Sequence, residues 1–191
     1  MEVAMKIGVA LLLAVGLFTS GCEVRSIHPW LSDETRTEDP SLLGAWHAAK
    51  GDTVAFFKGS PGEYEVMVAN GGEAARFVAS LHRIGDFLLL QVGPKPPNDL
   101  GAAALLPGHL LFKAEIDGDS LKLYEIDLES FPVRAAKSRI SLLPGGSEND
   151  GYVLTGTSAD SEAFLRSQLA DPEFFDVEPL YSFRKLPVSA E

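Results

Sequence analysis

Apolar and polar residues alternate with a period of two in many short segments after Pro40. In EYEVMVAN, Glu63 and Glu65 alternate with three apolar residues, and this pattern predicts a strand with one buried face. Comparable segments predict further strands at 53–58, 76–82, 87–92, 109–116, 121–127, 139–143, 152–157 and 178–186. Turn signals rich in Gly, Pro, Asn and Asp lie at 60–62, 70–72, 85–86, 117–119 and 144–146. Short strands joined by tight turns favour a mainly β, antiparallel fold, either a barrel or a two-sheet sandwich.

One segment, SADSEAFLRSQLADPEFF, has the spacing of a helix instead. Ser158 is predicted as its N-cap, and Asp160 and Glu162 follow in the first turn, where acidic side chains are favourable. Its apolar residues share one face, and Pro172 ends it. The sequence therefore predicts one late α-helix at about 159–170.

The N-terminus carries an apolar segment that predicts export. Twelve uncharged residues at 7–18 follow Lys6 and precede three small residues at 19–21. A membrane-spanning helix needs about 20 such residues, whereas a basic start, a short apolar run and a small-residue processing site are typical of a secretory signal. Residues 1–21 are therefore predicted as a signal peptide, and the pair Met5-Lys6 favours Met5 as the true start.

The end of this segment resembles the bacterial lipobox, in which a cysteine receives diacylglyceryl and becomes the new N-terminus. Ser20, Gly21 and Cys22 fit the motif, and Thr19 stands where Leu is usual. Lipidation explains the single cysteine of an exported chain, because a thioether cannot form a disulfide, and the acyl chains would anchor the domain to a membrane. With Glu23 after the cysteine, and not Asp, the resemblance implies the outer membrane, facing the periplasm. The alternative is a cleaved signal peptide with a coincidental cysteine.

The mature chain is long enough for one domain with a buried core. Residues 22–40 mix charges with Pro29 and Pro40 and show no sustained period. They are predicted as the lipidated cysteine and a tether, with Trp30 docked on the outside of the fold. Residues 41–191 are predicted as a single β-barrel domain.

The charge balance argues against a polyanionic partner. The sequence has 16 Lys and Arg against 27 Asp and Glu, a formal net charge of -11. It lacks a basic cluster of about five to eight residues, and binding to a nucleic-acid backbone requires such a positive surface. No nucleic-acid partner is expected.

The tripeptide Gly44-Ala45-Trp46 resembles the G-x-W signature of lipocalins and their calycin relatives. The resemblance implies a lipocalin-like antiparallel β-barrel closed at one end by Trp46, with an Arg or Lys near the last strand covering the indole ring. Arg184, in LYSFRKL, is the matching candidate, and such a contact contributes about 0.5 to 2 kcal/mol. The mature layout is also similar to that of uncharacterised lipobox-bearing bacterial lipoproteins, a group that implies no particular activity.

The sequence offers little for catalysis or metal binding. It has neither a G-x-S-x-G nor a G-x-x-x-x-G-K motif, so neither an enzyme nor a cofactor is predicted. His47, His82 and His109 are candidates for a three-histidine zinc site at one barrel end. No two of them have H-x-H or H-x-x-x-H spacing, and His47 and His82 are predicted on polar strand faces, so no metal site is predicted.

A cavity inside the barrel is the main functional hypothesis. Alternation points six candidate lining residues inward: Tyr64, Val66, Val68, Phe77, Ala79 and Leu81. The same residues suit a filled core, so two classes stay open: a carrier of a small hydrophobic or amphipathic molecule, and a structural or protein-interaction module of the cell envelope. A cavity of about 300 Å³ or more favours the carrier, and a filled interior with the apolar 100–106 loop exposed favours the module. Glu125 and Asp127 share the phase of inward leucines, which indicates inward carboxylates, a β-bulge or the end of a strand.

Overall fold

A computed structural model describes residues 23–49, 51–70, 72–95, 108–145 and 151–187. Within them the strands are β1 Val24–Ser26, β2 Arg36–Thr37, β3 Gly44–Ala48, β4 Thr53–Lys58, β5 Tyr64–Asn70, β6 Glu73–Ile84, β7 Phe87–Pro94, β8 His109–Asp117, β9 Ser120–Tyr124, β10 Leu142–Pro144, β11 Tyr152–Leu154 and β12 Tyr181–Lys185. The helices are α1 Phe131–Ser138 and α2 Ser158–Gln168. The predicted signal peptide, Cys22 and the 100–106 loop lie outside the described residues.

Eight of these strands close into an antiparallel barrel. They are hydrogen-bonded in the order β3, β4, β5, β6, β7, β8, β9 and β12, and β12 pairs back with β3. Tight hairpins join several neighbours, for example at Gly85, whose φ of 58° is a left-handed conformation that favours glycine. The closed barrel confirms the predicted fold class and excludes the two-sheet sandwich.

The barrel interior is filled by the inward residues of alternating strands. Val66 lies opposite Phe77 across β5 and β6, and Leu81 lies opposite Leu90 across β6 and β7. Such pairs place apolar side chains from neighbouring strands in one cluster. The buried members of this cluster are Leu42, Trp46, Ala48, Val54, Phe56, Tyr64, Val66, Val68, Ala79, Leu81, Leu90, Val92, Leu110, Phe112, Ala114, Leu121, Leu123 and Phe183.

The antiparallel connections define two barrel ends. The turn from β3 to β4, which includes Asp52, lies at one end, together with the last residues of β7 and β9 and the first residue of β12. We call it the Asp52 end. The turns from β4 to β5, β6 to β7 and β8 to β9 lie at the opposite end, beside Trp46. We call that the Trp46 end.

A second layer covers the outer face of part of the barrel. Helices α1 and α2 and the small sheet of β1, β10 and β11 pack there against outward residues of β7 and β8, such as Leu89 and Leu111. This layer has an aromatic centre, in which the rings of Phe131 and Phe164 meet edge to face at 5.7 Å. No helix in the described part of the chain has the length and apolarity needed to cross a membrane.

The predicted tether is wrong, because residues 24 to 42 belong to the fold. β1 pairs with both β8 and β11, and β2 pairs with β6. Trp30 and Leu31 are buried at 0% and 2% exposure, and the Trp30 indole Nε1 donates to the carbonyl of His109 at 2.9 Å. Sequence alternation missed this segment because its partners lie far away in the chain and it forms only short strands.

The late helix is confirmed, with a different N-cap. Thr157, not Ser158, caps α2: its hydroxyl accepts from the Asp160 amide, and the Asp160 carboxylate accepts from the Thr157 amide. The short helix α1 was not predicted. It precedes the strand expected at 139–143, which forms instead at Leu142–Pro144.

Candidate functional site

The Trp46 end of the barrel is closed by a short turn and by the hydrogen bond between that turn and Trp46. Trp46 is fully buried, and its Nε1 donates to the carbonyl of Leu42 at 2.8 Å. Leu42 ends a 3-10 turn that begins at Pro40 and is capped by Asp39, whose carboxylate accepts from the amide of Ser41. The turn therefore lies directly against Trp46 at this end of the barrel.

The cation over Trp46 is Lys185, so the choice of Arg184 is wrong. Lys185 lies directly opposite Trp46 in the pairing of β12 with β3, and its Nζ is 5.0 Å from the indole centroid. Arg184 lies opposite His47, and both of these side chains are exposed outside the barrel. Because strand side chains alternate, a shift of one residue moves the cation to the other face.

A small apolar cavity lies inside the barrel toward the Asp52 end. Its volume is about 50 Å³. Seven of the eight barrel strands and the turn from β3 to β4 line it: Asp52, Thr53, Val54, Phe56, Val66, Val68, Phe77, Leu90, Val92, Phe112, Leu123, Tyr181 and Phe183. Ligand sites begin at about 300 Å³, so side chains occupy most of the interior.

The sequence identified only part of this lining. Val66, Val68 and Phe77 line the cavity, whereas Tyr64 and Leu81 do not. Tyr64 belongs to the Trp46 end, where its hydroxyl accepts from the Asp39 amide at 2.8 Å. Leu81 and Ala79 belong to the packed core, at 0% and 1% exposure, and neither lines the cavity. Alternation identifies the inward face but not the height along the barrel.

Tyr181, which the cavity prediction did not include, joins the cavity to a group of acidic side chains. Its ring stacks on Phe183 at 5.8 Å and meets Phe112 edge to face at 6.2 Å. Burial, together with the negative charges of Glu23, Glu125 and Asp52, raises the pKa of the Tyr181 phenol to about 12. The phenol thus stays neutral in the physiological range.

Glu125 lies at the point where the barrel wall divides. Strand β8 pairs with β9 along its second half and with β1 at Leu110, so its partner changes near Phe112. Glu125 follows the last residue of β9 and lines the crevice at this division together with Glu23. Burial, and then the charges of Asp176 and Glu23, raise the pKa of Glu125 to about 7.

The position of Glu125 shows whether the carboxylates of Glu125 and Asp127 point into the barrel. Strand β9 ends at Tyr124, so Glu125 and Asp127 follow the strand and neither lines the cavity. Asp127 instead accepts from the amide of Ser130 at 2.9 Å, just before α1. The interpretation as a strand end is the one that the structure supports.

His82 is buried, although its strand face was predicted to be polar and exposed. The N-terminal segment covers this face, and His82 has 0% exposure. Its Nδ1 lies 2.8 Å from the Thr35 hydroxyl, and its Nε2 lies 2.8 Å from the Ser80 hydroxyl. Thr35 also donates to the carbonyl of Ser32, so its lone pair accepts from Nδ1–H and Ser80 donates to Nε2. Burial lowers the pKa of His82 to about 4.

The three candidate histidines lie on three different strands. His47 is exposed on β3 and contacts the Thr53 hydroxyl at 3.3 Å, while His109 begins β8. Burial, and then the charge of His28, lower the pKa of His109. Among the described residues, no group of three or more His, Cys, Asp or Glu side chains is placed to hold a metal ion.

Comparison with known proteins identifies no relative of this chain. No protein-family model, no curated protein and no solved structure matches the chain.

Proposed function

We propose that this protein is a lipid-anchored, non-enzymatic module of a bacterial cell envelope, held on the outer membrane by a lipid on Cys22 and exposed to the periplasm. The lipobox-like end of the apolar N-terminal segment supports the anchor. The first described strand, β1, begins at Val24, two residues after that cysteine.

The filled barrel interior is the observation that favours an interaction module over a carrier of small molecules. The interior cavity of about 50 Å³ is far smaller than the roughly 300 Å³ at which ligand sites begin. An eight-stranded barrel is just wide enough for side chains to fill it, and large residues such as Trp46, Phe56 and Phe112 do so here. The barrel then acts as a rigid frame that presents its outer surface.

A second candidate function is binding of a small amphipathic molecule, whose apolar end would enter the cavity. It is favoured by the position of the cavity, which has an apolar wall formed by Val66, Val68 and Phe77 and a polar border at Asp52 and Tyr181. Such a site suits a few methylene groups inside and a polar group at the border. The whole of a lipid does not fit this volume.

Catalysis has less support. Ser80 and His82 are in hydrogen-bond contact at 2.8 Å, which is the spacing of a nucleophile and its base. Both are enclosed beneath the N-terminal segment that pairs with β6, at 4% and 0% exposure. A substrate has no access to the Ser80 hydroxyl in this arrangement, and the pair fastens the N-terminal segment instead.

The anchor is tested by intact-mass measurement of the protein extracted from the membranes of an expressing bacterium. The expected product begins at Cys22 and carries diacylglyceryl and an additional acyl chain, while Cys22→Ser lacks the lipid and leaves the membrane fraction. An unmodified Cys22 in the mature protein, or an uncleaved chain, contradicts the proposal.

The two classes are separated by native mass spectrometry of the delipidated domain purified from its host, followed by thermal unfolding with a panel of fatty acids and lysophospholipids. A ligand at 100 times its dissociation constant stabilises by about 2.7 kcal/mol. The module predicts no retained molecule and no shift. A retained molecule, with binding lost in the cavity-filling Val68→Phe and kept in the exposed Phe57→Leu, establishes the binder.

A further inference from the structure

The N-terminal strand is fastened to the fold from its first residues. The carbonyl of Glu23 accepts from the amide of Tyr152 at 3.0 Å, and the Glu23 carboxylate forms an ion pair with Arg25. Val24, the next residue, is buried and pairs with Tyr152 in β11. If Cys22 carries the lipid, Glu23 is the single residue between the lipidated residue and β1.

This attachment leaves little freedom for the domain. An extended chain spans about 3.3 to 3.6 Å per residue, so the tether expected at 22–40 would have allowed the domain to stand about 65 Å from its anchor. A single residue allows only a few ångströms. The surface around Glu23 is therefore held at the level of the anchor.

That surface contains the connection that leads into β12. The amide of Asp176 donates to the carbonyl of Glu125 at 3.0 Å, and Glu125 lines the same crevice as Glu23. The neighbouring residues Val177 and Leu180 are exposed at 87% and 43%. Val177 is the most exposed large apolar side chain in the described part of the protein.

The same surface lies at one end of the barrel. Tyr181 follows Leu180, begins β12 and lines the cavity near Asp52. The connection at 177–180, in which the exposed Glu178 lies between Val177 and Leu180, is therefore at the Asp52 end. The point where the N-terminal segment enters the fold and the border of the cavity lie there as well.

We infer that Val177 and Leu180 rest on the lipid bilayer, and that the Asp52 end of the barrel faces the membrane. The inference builds on the proposed lipidation of Cys22. The occupant of this surface is the lipid interface itself, because a lipid held one residue from β1 cannot leave the surface that surrounds Glu23.

The electrostatics of this surface fit contact with neutral headgroups. The net charge of -11 opposes attraction to anionic lipid, so apolar contact and the anchor have to supply the attachment. Burial raises the pKa values of Glu23, Glu125 and Asp176. Carboxyl groups that accept a proton readily are less costly to bring to an interface of low dielectric constant.

The test uses the mature chain from Cys22 with a lipid attached chemically. Cys22 is the only cysteine, so a maleimide phospholipid reacts at that position alone. The protein is placed on vesicles of phosphatidylcholine with and without brominated acyl chains, which quench nearby tryptophan. Val177→Trp is the reporter, and Phe57→Trp is the matched control, because Phe57 is 52% exposed near the Trp46 end. The native tryptophans are both fully buried and give the baseline.

The expected result is at least twofold stronger quenching for Val177→Trp than for Phe57→Trp. An insertion of twenty Gly and Ser residues between Cys22 and Glu23 should abolish the difference, because a flexible linker of that length spans about 25 Å on average. Both positions at which tryptophan is introduced are exposed, so the variants are expected to fold. Circular dichroism is the check that they do. Equal quenching, or stronger quenching at position 57, overturns the inference.

The two proposals fail separately in this design. Chemical attachment sets the anchor without any cellular enzyme, so the quenching reports only how the fold sits on the bilayer. The mass of the protein isolated from cells reports only whether Cys22 is lipidated. An unlipidated cellular protein refutes the proposed anchor and removes the biological basis of the inference, whatever the quenching shows.

Discussion

The Nζ of Lys185 lies 5.0 Å from the centre of the Trp46 indole and also donates to the carbonyl of Ser41 at 2.6 Å. One ammonium group thus joins the last barrel strand, the buried tryptophan of the first barrel strand and the turn that seals the barrel. Gly44 permits this approach, since a Cβ at that position would lie 3.2 Å from the Lys185 Cε.

We expect Lys185→Met to lower the free energy of unfolding by about 1 to 3 kcal/mol, because both the cation–π contact and a charged hydrogen bond are lost. Arg184→Met is the matched control and should change stability by less than about 0.5 kcal/mol, as an exposed substitution does. Urea unfolding followed by tryptophan fluorescence measures both. A larger loss for Arg184→Met would contradict the assignment.

Trp30→Ala should destabilise the domain by about 3 to 5 kcal/mol, as truncation of a large buried aromatic does. Trp30 is fully buried under the second layer, whereas a docked tether would tolerate its loss. Phe57→Ala, at a half-exposed position, is the control and should cost about 1 kcal/mol or less. Similar midpoints for the two variants in thermal unfolding would show that the 24–42 segment is not part of the folded domain.

Acidification should weaken the fold through His82. Its pKa in the folded state is about 4, below the unfolded value of 6.5, so the unfolded chain binds the proton more tightly. The stabilisation is complete above pH 6.5 and declines as the pH falls toward 4, by at most about 3 kcal/mol. His82→Gln should remove this decline. Urea midpoints at half-unit pH steps measure it, and an unchanged slope in the variant would contradict the prediction.

Glu125 should act in the opposite direction. Its pKa is raised to about 7 in the folded state, so the folded protein holds a proton that the unfolded chain releases near pH 4.5. The carboxylate therefore destabilises the fold as the pH rises from 4.5 through 7. Glu125→Gln should be more stable than the native chain at pH 8 and equal to it below pH 4.5. Glu129→Gln is the control, and a gain at pH 8 in both variants would point to net charge instead.

Arg139 occupies a position that glycine would fill better. It follows α1 with φ 56° and ψ 30°, the left-handed conformation of a helix C-terminus. Arg139→Gly should stabilise the protein by about 0.5 to 1 kcal/mol, because glycine adopts this conformation without a steric penalty. Lys137→Gly, inside the last turn of α1, should destabilise by about 1 kcal/mol. Thermal unfolding distinguishes the two signs.

The sequence predicted what depends on local pattern. Strand β4 was predicted with its observed bounds, and β5 and β7 nearly so, because alternation is a property of a few consecutive residues. The late helix followed from its acidic first turn and its apolar face. The barrel class followed from short strands and tight turns together with the G-x-W resemblance.

What the sequence did not predict depends on distant partners. Trp30 looks like part of a polar linker until His109 and the second layer bury it. The choice between Arg184 and Lys185 depends on the register of β12 against β3, which no local pattern contains. The cavity lining likewise depends on how far along the barrel each inward residue lies. Tyr64 lies at the Trp46 end, whereas Phe112 lines the cavity.

The pairing of β1 with β11 has a kinetic consequence. Val24 and Tyr152 are more than a hundred residues apart, as are Ala48 and Phe183, whose strands close the barrel. Contacts between such distant residues form late and slowly, since a long loop has to be closed first. The segment that follows residue 22 therefore cannot complete its pairing until β11, which ends at Leu154, has been synthesised. An export signal at 1–21 would thus reach the translocation machinery while the chain behind it is still unfolded and able to be threaded.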